Sequence, residues 1–399
     1  MKNKKVAIIG GGILGLAIGY QLIKKYPGIK IHLFEKENEI GLHQSGNNSG
    51  VLHCGLHYLP GSLKARMAVE GIREMIQFCK INEIEHDICG KIVVASDVRE
   101  VGLLDDLAKR GQKNGLNGLK FLNKQEVRLR EPYVYAKKVL LVPQEGIANY
   151  KQVMQVLAGY ILQANGTIST GQEIKKVKNT PTKEIIIQTA ADSFSFDSLV
   201  NCTGLFSDRI FQNFTRKKRP LRIIPFRGEY MNIKDDYKHL VNHLIYPVPD
   251  PKYPFLGLHF TRLVNGSREV GPNAVLALKR EGYTNKDFNI NDFTDAVFYK
   301  GLHKFVFKNF NFTIGELKSS MSTTAFVYKA KKLVPDVEAY MFDKGTAGVR
   351  AQAMDSDGKL IMDFQIEKID NQIHLLNAPS PAATASLSIA KYIIDNYMN

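Results

Sequence analysis

Three glycines at positions 10, 12 and 15 separate a short apolar run from a longer amphipathic segment, and this spacing constrains the fold more than any other feature of the sequence. The apolar run at residues 5–9 contains the β-branched residues of a buried parallel strand, and residues 13–25 have the periodicity of a helix. Gly10 permits a tight turn, Gly12 lets the backbone approach a pyrophosphate, and Gly15 lets the helix pack against the strand. Amide groups at the start of such a helix bind phosphate. The sequence therefore predicts a Rossmann-type βαβ unit that binds a dinucleotide.

Glu35 supports this interpretation, because it ends a second predicted strand at residues 30–34. A carboxylate at the end of that strand can accept hydrogen bonds from ribose hydroxyls, and it argues against the 2′-phosphate of NADP. A glycine-rich turn without a function is the alternative. The two strands, the helix and the acidic residue together disfavour it.

Three further segments distinguish FAD from NAD. Residues 41–50 are polar and glycine-rich, so they could donate hydrogen bonds to a long pyrophosphate and ribityl chain, although composition alone also permits a surface loop. The NCTG sequence at 201–204 follows a strand and resembles a second turn that approaches a nucleotide. Two later segments are rich in small side chains. One is residues 345–350, where GTAG predicts a tight turn, and the other is residues 377–384, which precede a closing helix. A chain that returns to the cofactor at its C-terminal end is typical of flavoproteins, so we expect FAD.

The 399 residues are too many for one ordinary core, so we expect an α/β protein of two closely packed domains. The nucleotide-binding patterns fall at residues 1–80, 145–215 and 340–399, which we assign to a discontinuous Rossmann-type FAD-binding domain. The intervening residues 81–144 and 216–339 are richer in β patterns. We assign them to a second, substrate-binding domain built on a mixed β-sheet.

The formal net charge is +15, which indicates either a solvated basic surface or attraction to an anion. The anion could be an acidic metabolite or an anionic membrane surface. Scattered basic residues without a recognised motif argue against nucleic acid. The four cysteines form no C-x-x-C pair, which fits a reducing cytosol and indicates neither a zinc nor a redox centre.

Residues 6–23 are apolar, but their glycines and polar side chains favour a strand, a turn and a buried helix over a transmembrane segment. His239 and His243 have helical i, i+4 spacing but no obvious third ligand, so we predict no metal site. Because the cysteines fit a reducing cytosol and a transmembrane segment is disfavoured, we expect a cytoplasmic protein. The positive net charge also permits a peripheral position on the inner face of a membrane.

Longer segments resemble a known family, the D-amino-acid-oxidase-type FAD-dependent oxidoreductases, and within it the members that oxidise L-2-hydroxyglutarate. The segments are HQSGNNSGVLHCGLHYLPGSLKA at 43–65, CGKIVVA at 89–95, PFRGEY at 225–230, VNHLIYPVPDPKYPFLGLHFTR at 241–262, VGPNAVLALKREGY at 270–283, GVRAQA at 348–353 and NAPSPAATAS at 377–386. Two positions depart from the pattern, since the family usually has His at Asn47 and Tyr at His57.

The resemblance implies oxidation of the C2 alcohol of L-2-hydroxyglutarate to 2-oxoglutarate, with hydride transfer to N5 of a non-covalently bound flavin. Electrons would then pass to a quinone, at a membrane surface, or to oxygen. Two alternatives stay open at this point. One is a related oxidase of an amino acid or of glycerol 3-phosphate, and the other is a nucleotide-binding module without catalysis. Oxidation of a hydroxy diacid needs a base for the hydroxyl proton and cations for two carboxylates.

His53 is the predicted base, because it follows the polar loop and an imidazole accepts protons near neutral pH. A histidine alone is more often structural, and His43, His57 and His259 are rival candidates. We expect His43 nearer the ribityl chain and His259 on the substrate sheet.

Arginine is the preferred partner of a carboxylate, and Arg350 ranks first for substrate or cofactor, with a surface or structural ion pair as the alternative. Other arginines in family-like segments are Arg227, Arg262 and Arg280. Lys64 could reach a carboxylate or simply cap its helix. Besides Arg350, the predicted substrate-binding residues are Arg227, Lys279, Tyr246, His259, Lys64 and Tyr58.

The predicted FAD-binding residues come from the glycine turn, the second strand, the polar loop and the later small-residue segments. They are Gly10, Gly12, Ile13, Leu14, Gly15, Glu35, Lys36, His43, Gln44, Ser45, Asn48, Ser49, Gly50, Ile174, Cys202, Thr203, Gly204, Gly348, Ser380, Pro381, Ala382 and Ala383.

Overall fold

The structure is a computed structural model that describes residues 3–398. In this part of the chain, two large sheets carry most of the strands. The helices are Ile13–Lys25, Leu63–Ile81, Val98–Lys113, Lys124–Arg130, Tyr150–Gln163, Ser207–Thr215, Ile290–Val297, Lys300–Lys308, Phe310–Met321, Thr323–Ala330 and Ser386–Tyr397. Among the described residues, none of these helices combines the length and apolar character needed to cross a bilayer.

The first sheet is the predicted Rossmann-type sheet, and its first strand, Lys5–Ile9, lies near its centre. Its strands, in spatial order, are Gln365–Ile369, Gln372–Asn377, Ser198–Asn201, Lys5–Ile9, Lys30–Phe34 and Thr167–Ser169. All neighbouring pairs are parallel except the one at the Gln365–Ile369 edge.

Alternation along Lys5–Ile9 explains why this strand is apolar throughout. Val6 and Ile8 pack with the helices on one face, whereas Ala7 and Ile9 pack with a small antiparallel sheet on the other. That small sheet contains Lys176–Asn179, Ile185–Gln188 and Ser193–Phe196. Both faces are therefore buried, as a parallel sheet requires.

The second large sheet is mixed. Its nine strands include two long ones, Arg222–Ile233 and Phe342–Met354, which pair antiparallel. The other strands are Val275–Leu276, Arg268–Gly271, His259–Arg262, Leu244–Pro247, Lys91–Ala95, Lys138–Val142 and Lys120–Leu122. Strand Phe342–Met354 lies in this sheet although the predicted division placed it with the FAD-binding residues. The remaining domain boundaries stay a prediction.

In the described part of the chain a second small sheet, also three-stranded, brings together three segments that are distant in the sequence. Gly146–Ala148 is its central strand, flanked by Val51–Leu52 and His86–Asp87. Leu52 pairs with Gly146, so the residues that follow and precede them, His53 and Glu145, emerge side by side.

One prediction about local structure is wrong. The turn predicted at GTAG is instead part of strand Phe342–Met354. A Cβ on Gly345 would lie 2.7 Å from the Tyr230 carbonyl oxygen, so this glycine permits close strand approach rather than a change of direction.

Candidate active site

A cavity of about 720 Å³ lies at the carboxyl ends of the parallel strands, where open α/β sheets bind ligands. It is lined by the glycine turn and Glu35 at one end and by Arg350 and His259 from the mixed sheet at the other. All predicted FAD-binding residues line it except Gly15 and Gly50. Gly15 packs against the turn, where a Cβ would lie 2.0 Å from the Gly10 carbonyl oxygen.

The glycine turn forms a cradle for an anion. Gly12 is the N-cap of helix Ile13–Lys25 and has no side chain to cap it, and within residues 3–398 no acidic residue occupies the first turn of this helix. The Ile13 amide donates to Ser45, and the amide groups that follow it and the positive end of the helix dipole can face a pyrophosphate. Gly10 has φ = +108°, a conformation that L side chains rarely adopt.

Glu35 is buried at the end of the second strand and fixes the glycine turn. Its carboxylate accepts hydrogen bonds from the backbone amides of Gly11, at 2.7 Å, and Glu37, at 2.9 Å. The carboxylate is thus held at the cavity wall, where it can also accept from ribose hydroxyls.

The polar loop at residues 41–50 wraps around the start of the first helix. The Ser45 hydroxyl accepts from the Ile13 amide at 3.0 Å. Asn47, one of the departures from the family pattern, donates its amide to the Leu42 carbonyl at 2.7 Å and the His43 carbonyl at 2.9 Å. Asn47 therefore stabilises the loop that lines the cavity.

His43 lies beside Lys36, close to the Glu35 end of the cavity. Its ring contacts Glu37 and Glu281, at 3.0 and 2.9 Å, and stacks on Tyr283. Burial alone would lower the pKa of His43, but the two carboxylates outweigh it and raise that pKa. The Lys36 ammonium contacts the same carboxylates, so the group forms a mixed-charge network.

The C-terminal small-residue segment reaches the opposite side of the cavity. Ser380, Pro381, Ala382 and Ala383 line it before helix Ser386–Tyr397, which has no side-chain cap and no acidic first-turn residue in the described part of the chain. Thr384 accepts a hydrogen bond from the His53 amide at 3.1 Å. This segment thus links the predicted cofactor cradle to the predicted base.

His53, the predicted base, lines the cavity and lies beside two buried charged residues. Its Nδ1 lies 3.4 Å from Oε2 of Glu145, and the same oxygen lies 2.7 Å from Nζ of Lys91. Glu145 and Lys91 are not among the residues predicted from the sequence, although Lys91 stands in the family-like segment at 89–95. No local pattern links three residues that come from separate strands.

The mixed sheet contributes three predicted residues to the cavity. Tyr246 stacks on His259 at 4.0 Å between ring centroids, and burial lowers the pKa of His259 to about 3. Arg350 is half-buried, and its Nη1 is a buried nitrogen that has no hydrogen-bond partner among the described residues. A guanidinium with a buried, unused donor is suited to bind a carboxylate.

Helix Leu63–Ile81 and the loop before it also line the cavity, through Lys64, Tyr58 and His57. Lys64 lies over the Tyr58 ring, 4.5 Å from its centroid. Burial, only partly offset by Asp363, lowers the pKa of Lys64 to about 8. Burial also lowers the pKa of His57 to about 3, with Lys91 and His53 contributing. Neutral His57 is therefore a poor candidate for binding an anion.

Two predicted substrate residues, Arg227 and Lys279, are not among the described residues that line the cavity, and their role in substrate binding stays a prediction. Arg227 alternates along its strand with Gly228, which lines the cavity, and its guanidinium instead binds Glu229 and the Thr284 carbonyl. Lys279 is also absent from the lining that the described residues form. The other arginines considered form ion pairs, Arg262 with Asp87 and Arg280 with Asp208 and Asp295.

Comparison with known proteins defines the class of this protein. The FAD dependent oxidoreductase family model matches residues 5–396, and the chain belongs to this family. The protein is thus an FAD-dependent oxidoreductase, as the sequence predicted. The glycine cradle, the start of helix Ile13–Lys25 and Glu35 fit that cofactor.

Two curated relatives are similar to this chain over nearly its full length. L-2-hydroxyglutarate dehydrogenase of Indibacter alkaliphilus is 46% identical over 385 residues, which cover 96% of each chain. The mitochondrial L-2-hydroxyglutarate dehydrogenase of Homo sapiens is 39% identical, covering 98% of this chain and 88% of the relative.

Solved structures confirm the fold. The FAD-bound L-alpha-glycerophosphate oxidase of Mycoplasma pneumoniae has a TM-score of 0.78 at 21% identity, covering 99% of this chain and 94% of that one. Glycine oxidase of Geobacillus kaustophilus has a TM-score of 0.71 at 16% identity, covering 98% and 94%.

Proposed function

We propose that this chain oxidises L-2-hydroxyglutarate to 2-oxoglutarate. The observation that carries the proposal is the placement of two separate cations, Arg350 and Lys64, in the cavity that also contains the imidazole of His53. A diacid needs such a pair of cations, whereas a simple amino acid needs one. The long similarity to L-2-hydroxyglutarate dehydrogenases supports the same substrate.

Each residue has a defined task in this proposal. Arg350 binds one carboxylate through its unused Nη1 donor, and Lys64 attracts the other. His53 accepts the proton of the C2 hydroxyl group. FAD supplies the hydride acceptor for the C2 hydrogen. Tyr246 and Tyr58 line the cavity between these groups and help to exclude water.

A substrate panel tests the proposal. Purified FAD-loaded protein would be assayed with L-2-hydroxyglutarate, its D enantiomer, glycerol 3-phosphate and several amino acids, using an artificial electron acceptor. We expect kcat/KM for L-2-hydroxyglutarate to exceed the others by at least about 100-fold, because rejecting an analogue that leaves buried polar groups unpaired can reach larger ratios. A higher value for glycerol 3-phosphate or an amino acid would overturn the proposal.

We propose further that the electrons pass to a quinone at an anionic membrane surface. Helix Phe310–Met321 supports this, since its exposed side chains Phe310, Ile314, Leu317 and Met321 recur at helical spacing on one face. Phe307, 87% exposed, extends this apolar surface, which is flanked by Lys308 and Lys318. Exposed apolar side chains beside lysines suit insertion into anionic lipid.

The same helix packs against a residue that lines the cavity. Phe312 packs against Phe255, with 6.1 Å between ring centroids, and Phe255 lines the cavity below Arg350. An apolar electron acceptor dissolved in the bilayer would therefore be delivered close to the site.

Vesicle sedimentation tests the membrane proposal. We expect binding to phosphatidylglycerol-containing vesicles, weaker binding at high salt, and loss of binding in the double variant Phe307→Ser and Met321→Ser. Leu129→Ser is the matched control, because Leu129 is 79% exposed on a different helix. Equal binding by the double variant, or no binding by the parent protein, would contradict the proposal.

A further inference from the structure

Three residues from separate segments meet behind the predicted base. His53 follows strand Val51–Leu52, Glu145 precedes strand Gly146–Ala148, and Lys91 begins strand Lys91–Ala95. The pairing of Leu52 with Gly146 continues to place His53 beside Glu145. The contact is therefore dictated by strand register and not by a flexible side chain.

The Glu145 carboxylate is fixed at both of its oxygens. Oε1 accepts from the amide and the thiol of Cys54, each at 3.2 Å. Oε2 lies 2.7 Å from Nζ of Lys91 and 3.4 Å from Nδ1 of His53. Burial alone would raise the pKa of Glu145, but Lys91 and His53 outweigh it and hold that pKa well below its ordinary value.

Burial distinguishes the three members. The side chains of Glu145 and Lys91 are 1% and 2% exposed, whereas that of His53 is 18% exposed and lines the cavity. Only the imidazole can therefore touch a ligand. A buried carboxylate and ammonium are costly to desolvate and are retained only with good pairing, so a role beyond packing is expected.

We propose that Glu145 and Lys91 are positioning residues that hold His53 in the tautomer with hydrogen on Nδ1 and a free Nε2 facing the cavity. This inference rests on the proposed function, in which His53 is the base. In this tautomer Nδ1–H faces Oε2 of Glu145 across the 3.4 Å contact, which is longer than a normal hydrogen bond, and the Lys91 ammonium keeps that carboxylate ionised. When the hydroxyl O–H bond of the substrate breaks, its proton goes to Nε2 and its electron pair forms the C2=O bond of 2-oxoglutarate. The C2 hydrogen would leave with the electron pair of the C2–H bond, as the hydride that bound FAD would accept. The imidazolium charge then faces Glu145.

The test variant is Glu145→Gln, with Glu131→Gln as the matched control. Glu131 is also buried and contacts a histidine, with 2.9 Å between its Oε1 and Nδ1 of His243, but it lies outside the cavity lining. We expect Glu145→Gln to slow flavin reduction by L-2-hydroxyglutarate about 10- to 100-fold while the Kd for 2-oxoglutarate changes less than about threefold. Glu131→Gln should leave both constants close to those of the parent protein.

Nitrogen NMR of histidine-labelled, FAD-loaded protein provides a readout that does not depend on turnover. The His53 signals, assigned with His53→Gln, should show hydrogen on Nδ1 in the parent protein and lose this signature in Glu145→Gln. If that variant fails to fold with Lys91 unpaired, the double variant Lys91→Met and Glu145→Gln carries the same test. Hydrogen on Nε2 in the parent protein, or unchanged flavin reduction in a folded variant, would overturn the inference. Failure of the parent protein to oxidise L-2-hydroxyglutarate would instead overturn the proposed substrate and leave the tautomer result to be judged separately.

Discussion

The Glu35 carboxylate accepts a hydrogen bond of 2.7 Å from the Gly11 amide, so the acidic residue that ends the second strand also fixes the glycine turn. One side chain thus combines the two parts of the nucleotide-binding pattern. It orders the backbone that approaches the pyrophosphate and presents the acceptor for the ribose.

Replacing this acid should weaken FAD binding. We expect Glu35→Ala to raise the Kd for FAD about 10- to 100-fold, because the ribose acceptor and the support of the turn are both lost. Fluorescence titration of the apoprotein with FAD measures this constant. Glu39→Ala, at an exposed position a few residues later, should bind FAD as the parent protein does.

Arg350 should dominate substrate binding. We expect Arg350→Met to raise the Kd for 2-oxoglutarate about 100-fold or more, because losing a buried charge partner costs about 2–5 kcal/mol. Perturbation of the flavin spectrum on addition of 2-oxoglutarate measures the constant.

Arg262→Met is the control for this variant, since Arg262 pairs with Asp87 outside the cavity lining. Similar affinities in the two variants would show that Arg350 does not bind the diacid.

Lys64 should make substrate binding dependent on pH. Its pKa of about 8 means that the ammonium form prevails below pH 8 and the neutral amine above it. Because the ammonium attracts a carboxylate, KM should rise as pH increases through 8, and this rise should disappear in Lys64→Met.

Steady-state kinetics across this pH range measures the effect. Lys80→Met, on the exposed face of the same helix, should keep the rise. A pH-independent KM in the parent protein would be inconsistent with a role for Lys64 in binding.

Glu269 should limit stability at alkaline pH. Burial raises its pKa from 4.5 to about 7, so the native state binds more protons than the unfolded state between these values. The free energy of unfolding therefore falls as pH rises through this range, by up to about 3 kcal/mol.

We expect Glu269→Gln to raise the Tm of the FAD-loaded protein at pH 8 and to leave it nearly unchanged at pH 4.5 or below. Differential scanning calorimetry measures both. Glu39→Gln is the control at an exposed position, and a lower Tm of Glu269→Gln at pH 8 would argue that Glu269 makes a stabilising contact there.

The FAD-binding half could be predicted closely because its signals are local. The glycine turn and apolar periodicity predicted Lys5–Ile9 and Ile13–Lys25 with the bounds that the structure shows. Each of these elements depends on residues near one another in sequence. The sequence also predicted the family and its cofactor, and both are confirmed.

The substrate end was less predictable because it depends on distant pairing. Arg227 was chosen for its charge, but strand alternation turns Gly228 to the cavity and leaves the guanidinium with Glu229. Lys91 and Glu145 meet only after separate strands assemble, so no spacing in the sequence marks their contact.

Anaerobic flavin reduction tests the central claim most directly, because it needs no electron acceptor. We expect one equivalent of L-2-hydroxyglutarate per bound FAD to bleach the visible absorption band of the oxidised flavin and to yield one equivalent of 2-oxoglutarate. The D enantiomer should leave the band unchanged over the same time. A flavin-loaded protein whose band persists with excess L-2-hydroxyglutarate would contradict the proposed function.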